Sequence, residues 1–173
     1  MVTKARISRK RKAAYLFTAL FISVILIRVF FIDSFMVAGN SMAPALIDGD
    51  YVFVNKMAYL KQKPARGDIV VGNFRDMDDK KVIKRVIGLP GEWIFIENGT
   101  IYIANERHGE RESIGQLDSE DFTASLSHNF TYRLDPHEYF LMGDNGLGSI
   151  DSRELGPVDV YKIDGRVAYK FRF

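Results

Sequence analysis

The longest apolar run of the chain is Ala13 to Ile32, twenty residues in which Arg28 is the one charge. About 20 such residues cross a bilayer as a helix, so the run predicts a membrane anchor. Arg28 lies near its far end, where a long side chain snorkels to the interface or meets the domain that follows. A cleaved signal peptide and a buried core helix are the competing readings. The nearest small-x-small cleavage pattern, Val37-Ala38-Gly39, would place a cut beside Ser41, which favours an uncleaved anchor.

After the run the period shifts from helical to β. Tyr51 to Asn55 alternates. Pro64 to Asp68 reads as a turn into Ile69-Val70-Val71. Lys81 to Ile87 is a β-branched run with Lys84 and Arg85 interleaved, ended by the turn Leu89-Pro90-Gly91-Glu92. Trp93 to Ile96 and Thr100 to Ile103 flank Asn98-Gly99, which suits a two-residue hairpin turn. Residues 104–131 are polar and weakly periodic, and read as an excursion. Tyr139 to Met142 reads as a strand, and Val158 to Phe173 as two short strands around Asp164-Gly165. Many short strands with Gly/Pro turns predict a mainly β, antiparallel domain, closed or sandwich-like rather than α/β.

Composition refines this picture. With 173 residues, 47% of them hydrophobic, the chain suits one cored domain plus an anchor and not a disordered chain. Residues 1–12 form a basic tail, 13–32 the anchor, and 33–173 the β domain. The net charge of +2 makes no case for nucleic acid. The basic residues are local instead: Lys4, Arg6, Arg9, Lys10, Arg11 and Lys12 precede the apolar run. The positive-inside rule puts that end in the cytoplasm and the β domain outside. With no cysteine, disulfides, thiolate metal sites and a Cys nucleophile are excluded. His108, His128 and His137 lack metal-ligand spacing, so neither metal nor cofactor is expected.

Three stretches stand out as candidate chemistry. In Gly39-Asn40-Ser41-Met42-Ala43-Pro44 a serine sits on a turn constrained by a glycine and a proline. It is either a presented nucleophile or an ordinary polar loop. A nucleophilic serine needs a base, and a desolvated lysine serves when burial lowers its pKa from about 10.4. Lys84, among Ile83, Val86 and Ile87, is the candidate, with Arg85 on the opposite face by the two-residue period. The alternative is a solvated lysine on an amphipathic strand. Met142 to Arg153 is too polar and glycine-rich for a core strand. It reads as a functional loop, a surface loop, or a cation site of Asp144, Asn145 and Asp151, although the spacing does not match an EF-hand.

Together these stretches resemble the type I signal peptidases, membrane-bound serine-lysine proteases of family S26. Gly39-Asn40-Ser41-Met42-x-Pro44-x-Leu46 resembles the serine box, Arg66 to Val70 the next box, and Lys84 to Glu92 the lysine box. Gly143-Asp144-Asn145, then Ser149-x-Asp151-Ser152-Arg153, resembles the last. The resemblance runs from about residue 13 to 170, with the polar excursion unmatched. It implies a β fold of the signal-peptidase and self-cleaving-repressor type in the bacterial cytoplasmic membrane, single-pass, with its catalytic domain on the extracytoplasmic face.

Carried over, the resemblance makes Ser41 the nucleophile and Lys84 the general base. Ser149 would orient the lysine amine by a hydrogen bond. Asp151 and Arg153 would form a supporting ion pair, and Asp144 and Asn145 would shape their loop. Ser41's own N–H would serve the oxyanion. Relatives with a hydroxyl two residues before the serine gain a second donor there; Gly39 offers only its backbone, or a water. An extended substrate would add along a strand edge near Met36, Val37, Ala38, Asn40 and Met42, or near Val82 and Ile83. Phe30, Phe31, Phe35 and Met36 would dip into lipid. The implied substrates are signal peptides of exported preproteins, cut after Ala-x-Ala. The rivals are a processor dedicated to one secreted or conjugation-related substrate, a self-cleaving repressor, and a non-catalytic membrane-anchored binding module. A repressor would carry a DNA-binding domain for which this chain has no room.

Overall fold

The computed structural model describes residues 2–75, 77, 80–116, 130–146 and 148–172. A helix, α1 (Val2–Phe30), leads directly into strand β1 (Ile32–Met36). The apolar run is therefore not one helix to Ile32: its last residues turn and enter the sheet. Among the described residues, no helix is long and apolar enough to cross a membrane. The final turns of α1 face the sheet, where Val24, Ile27 and Arg28 line a crevice with Ile32, Ser34, Tyr51 and Phe53.

Among the described residues ten further strands follow: β2 (Tyr51–Asn55), β3 (Ile69–Asn73), β4 (Lys81–Gly88), β5 (Trp93–Glu97), β6 (Thr100–Ala104), β7 (Glu112–Gln116), β8 (Phe130–Arg133), β9 (Glu138–Met142), β10 (Val158–Asp159) and β11 (Ile163–Phe171). A single helical turn, α2 (Ser152–Leu155), lies between β9 and β10. The strands make two antiparallel sheets, one ordered β1-β2-β11-β3-β4-β9-β10 and one ordered β7-β6-β5-β8. The mainly β, antiparallel expectation holds.

Strand β9 joins the two layers. Tyr139 and Leu141 pack with Val70, Phe74 and Val86, while Phe140 and Met142 pack with Ile94, Ile96 and Leu134. These four of the five β9 side chains are buried, and burial of the Phe, Leu and Met side chains is worth about 1.5–3 kcal/mol each relative to exposure. A third cluster of Val37, Met42, Leu46 and Val52 seats the loop that carries Ser41.

Two expectations about the strands also needed correction. The excursion contains β7, which pairs with β6, and its end enters β8, which pairs with β5; residues 117–129 lie outside the described residues. Polar composition hid β7, in which Ile114 supplies the apolar packing. Asp164-Gly165 is not a turn either. Both lie inside β11, where the register shifts, and a Cβ on Gly165 would come within 2.6 Å of the Asn55 carbonyl oxygen. The glycine there permits close approach of β11 to β2. The Asn98-Gly99 turn is as expected, with φ of 49° and 78°.

Candidate active site

The loop between β1 and β2 presents Ser41. Its neck is closed by Val37 N–H donating to the Asp50 carbonyl at 2.8 Å and Gly49 N–H donating to the Val37 carbonyl at 3.0 Å. Met42 and Leu46, both 1% exposed, plug the loop into the core. The Ala43–Pro44 peptide is cis.

Strand β4 presents Lys84. Its alternation buries Lys84, Val86 and Gly88 on one face, so period-two geometry carries a lysine into an apolar layer. Lys84 is 4% exposed. Its Nζ donates to Ser41 Oγ at 3.0 Å. Burial pushes its pKa below the ordinary value, the Asp151 carboxylate pulls it back up, and Arg153 pushes it down again.

The β9–α2 loop forms the third wall. Asp151 is fully buried and accepts from the Gly143 N–H at 2.9 Å, the Ser149 hydroxyl at 2.8 Å and the Arg153 guanidinium, whose Nε and second nitrogen both reach it at 2.8 Å. It also caps α2. The expected Asp151–Arg153 pair is present. The expected hydrogen bond from Ser149 to Lys84 is not: Ser149 turns its hydroxyl to Asp151, a full charge with room for another donor, and Lys84 reaches Ser41.

Asp144 and Asn145 hold this loop against its neighbours. Arg85, on the face opposite Lys84, grips Asp144 with Nε at 2.7 Å and a second nitrogen at 2.6 Å. Asn145 donates from its backbone to the Ser41 carbonyl at 3.1 Å and from its side chain to the Asn40 carbonyl at 3.2 Å. Asp144 and Asp151 are thus turned to different arginines rather than toward a shared cation. Among the described residues, no group of three or more His, Asp or Glu side chains could hold a metal ion. Neither His108 nor His137 lines the groove or bonds to Ser41.

A groove of about 270 Å³ runs past Ser41 and Lys84. Met36, Val37, Ala38, Met42, Val82 and Ile83 of the expected substrate set all line it. Asn40 does not; its side-chain oxygen accepts from the Asp48 N–H at 3.1 Å and braces the loop. Gly39 gives its N–H to Asp48 at 2.7 Å, which engages the backbone donor considered for the oxyanion. Phe35, expected to dip into lipid, instead lines the groove and packs on the Val37–Leu46 cluster.

Sequence reading placed Gly143 in a motif without giving it a role. A Cβ at Gly143 would overlap both Ser149 Oγ and the Ser41 carbonyl oxygen. The glycine lets the end of β9 pass between the two serines. Lys81 was also missed: its ammonium lies 2.9 Å from Asp164 and 3.9 Å from Asp33 at one end of the groove. No local signal in the sequence pairs residues this far apart.

The family model described as "Signal peptidase, peptidase S26" matches residues 10–172. Signal peptidase I T of Bacillus subtilis (strain 168) is 36% identical over 150 residues, covering 85% of this chain and 77% of that protein. Signal peptidase I of Bacillus amyloliquefaciens is 35% identical with the same coverage. Signal peptidase I of Streptococcus pneumoniae (strain ATCC BAA-255 / R6) is 31% identical, covering 83% of this chain and 84% of that protein. The crystal structure of a signal peptidase I from Enterococcus faecalis V583 aligns with a TM-score of 0.48 at 30% identity, covering 62% of this chain and 98% of that one.

Proposed function

The chain belongs to the signal peptidase family, peptidase S26, and is an enzyme of that family; on that premise we propose that it removes signal peptides from exported preproteins with a Ser41–Lys84 dyad. The observation that carries this is a buried lysine nitrogen 3.0 Å from a loop serine oxygen. Desolvation favours the neutral amine, and a neutral amine is what a general base requires.

The proton of Ser41 Oγ passes to Lys84 Nζ as the oxygen attacks the scissile carbonyl. The Ser41 N–H faces the developing oxyanion, a contribution of the several-kcal/mol kind. Lys84 then gives its proton to the departing amine, which leaves an ester on Ser41. Water attacks that ester with Lys84 again accepting the proton; the proton then passes to Ser41 Oγ as the ester C–O bond breaks, which releases the peptide's new carboxyl end and regenerates both serine and neutral lysine. Asp151 and Arg153 act on Lys84 electrostatically, and Ser149 acts through Asp151.

The substrate lies extended in the groove. On one side, β1 is the edge strand of its sheet. On the other, β4 pairs with β9 only from Arg85 onward, so Lys81 to Lys84 keep their hydrogen-bonding edge on that side. These edges suit β-augmentation. The apolar lining from Phe35, Met36, Val82 and Ile83 leaves room for small side chains, in keeping with cleavage after Ala-x-Ala.

The anchor belongs to the same reading. Tyr15, Leu16, Phe17, Leu20 and Phe21 on α1 are exposed apolar side chains, and the basic cluster precedes them. We place the N-terminus in the cytoplasm and the β domain outside a bacterial cytoplasmic membrane. Resistance of the full chain to carbonate extraction tests this; release into the supernatant rejects it.

The decisive experiment is cleavage of a preprotein with an Ala-x-Ala site, in detergent, by wild type and Ser41→Ala. Release of the mature chain by the wild type alone supports the reading. Equal cleavage by both rejects Ser41 as nucleophile. No cleavage by either rejects the general-processing activity and points to a dedicated processor or a binding module.

A further inference from the structure

Strand β11 grips the serine loop at residues other than those that Asn145 holds. Antiparallel pairing sets Phe171 across from Tyr51 and Lys170 across from Val52. Continuing that register brings Arg172 opposite Asp50, the last residue of the serine loop. Arg172 meets it with Nε at 2.8 Å from one carboxylate oxygen and a second nitrogen at 3.0 Å from the other. Lys170 Nζ donates to the Ala45 carbonyl at 2.6 Å, further inside the loop. Two cations from one strand thus hold two points of the segment that carries Ser41.

Asp50 needs that grip. Its side chain is 1% exposed, and one oxygen also accepts from the Ile47 N–H at 3.0 Å. The Arg172 hydrogen bonds, with help from Ile47, hold its carboxyl down to about 2. A two-pronged charged pair fixes orientation as well as distance. Removing the arginine leaves the carboxylate with its one backbone donor, Ile47 N–H, and opens it to solvent beside a side chain that is itself half exposed, so the fork that fixed its orientation is lost. Between Asp50 and Ser41 the loop is seated in the core through Leu46 and Met42, so a shift at Asp50 reaches Ser41 through that packed stretch. Asn145 pins only Asn40 and Ser41. The loop is therefore held at both ends, and the Lys84–Ser41 distance depends on both.

We propose that Arg172, assisted by Lys170, is a positioning residue for the nucleophile, so that the C-terminal strand sets how often Ser41 sits within reach of Lys84. This rests on Ser41 being the nucleophile. Small displacements of a reacting atom are costly, on the order of 10²-fold for about 1 Å, so partial loosening is expected to cost about tenfold. The loss falls mainly on kcat, because the groove that binds substrate is lined by β1, β4, Val71 and the loop residues Val37, Ala38, Ser41 and Met42, and by neither Arg172 nor Asp50.

The test compares kcat and KM of the full-length protein in detergent, on one preprotein substrate, for wild type, Arg172→Ala, Arg172→Lys, Lys170→Ala and Arg111→Ala. Arg111 pairs with Glu97 on the other sheet and controls for loss of an ion pair as such. The expected result is about a tenfold fall in kcat for Arg172→Ala with KM within about twofold. Arg172→Lys should recover part of it, since an ammonium lacks the fork, and Arg111→Ala should match wild type. A kcat for Arg172→Ala within twofold of wild type, or a loss confined to KM, overturns the proposal. If Arg172→Ala does not fold, Arg172→Lys and Lys170→Ala carry the test, and wild-type kcat in both overturns it. Ser41→Ala is assayed alongside: if it retains activity, the nucleophile reading fails. If it is inactive while the Arg172 variants behave as wild type, only the positioning role fails.

Discussion

The Ser149 hydroxyl donates to Asp151 at 2.8 Å, while the hydroxyl that Lys84 Nζ reaches is that of Ser41, so Ser149 bears on the lysine by way of the Asp151 charge. Asp151 raises the lysine pKa, Arg153 lowers it, and burial lowers it most. A base poised this way is sensitive to either partner of the ion pair while touching neither in the reaction.

The pH profile of kcat/KM follows. The active form of Lys84 is neutral, so activity is lost as pH falls through its lowered folded pKa and gained as pH rises through it. Arg153→Met removes a cation that favours the neutral amine and leaves Asp151 unopposed. Both effects raise the lysine pKa, so the acid limb moves to higher pH. Rates measured from pH 5 to 10 check this; an unmoved limb would separate Arg153 from the base.

Stability carries the same sign. In the folded protein Lys84 releases its proton at lower pH than in the unfolded chain, whose pKa is the ordinary 10.5. Between the two pKa values the unfolded state binds more protons, so this residue's contribution rises with pH. Below the folded pKa the chain carries a buried ammonium. Lys84→Met removes that cost, and its Tm advantage over wild type is expected to be largest near pH 6 and to shrink toward pH 10. Calorimetry at several pH values reads this, and a pH-independent difference refutes it.

Gly143→Ala addresses the contact between loops. Its methyl would overlap Ser149 Oγ and the Ser41 carbonyl oxygen, atoms that Asp151 and Asn145 hold in place. Overpacking of this kind costs about 1–3 kcal/mol, and relief would displace a serine on one side or the other. The expected outcome is lower urea resistance and at least a tenfold lower kcat. Wild-type kcat would show that the loops yield without moving Ser41.

The strands β2, β4, β5, β6 and β9 were legible in the sequence because alternation and turn residues are local signals, and burial on one face is written with a period of two. Ser41 and Lys84 stood out as candidates on a constrained turn and an apolar strand, but each local context left an ordinary alternative open, and it was the resemblance of several boxes in order and spacing that singled them out. The polar strand β7 was not, because it is stabilised by pairing with β6 and by Ile114 rather than by its own pattern. The course of β11 was not, because Asp164-Gly165 has the composition of a turn while its surroundings demand a close approach to β2.

What only the tertiary structure decided are the partnerships between residues far apart along the chain. Lys84 meets Ser41 across 43 positions, and Arg172 meets Asp50 across 122. Sheet order and register set such pairings. The choice of Ser149 for Asp151 rather than Lys84 turns on a competition among three nearby groups. The residues name the chemistry available; which donor reaches which acceptor depends on the packing of both sheets at once.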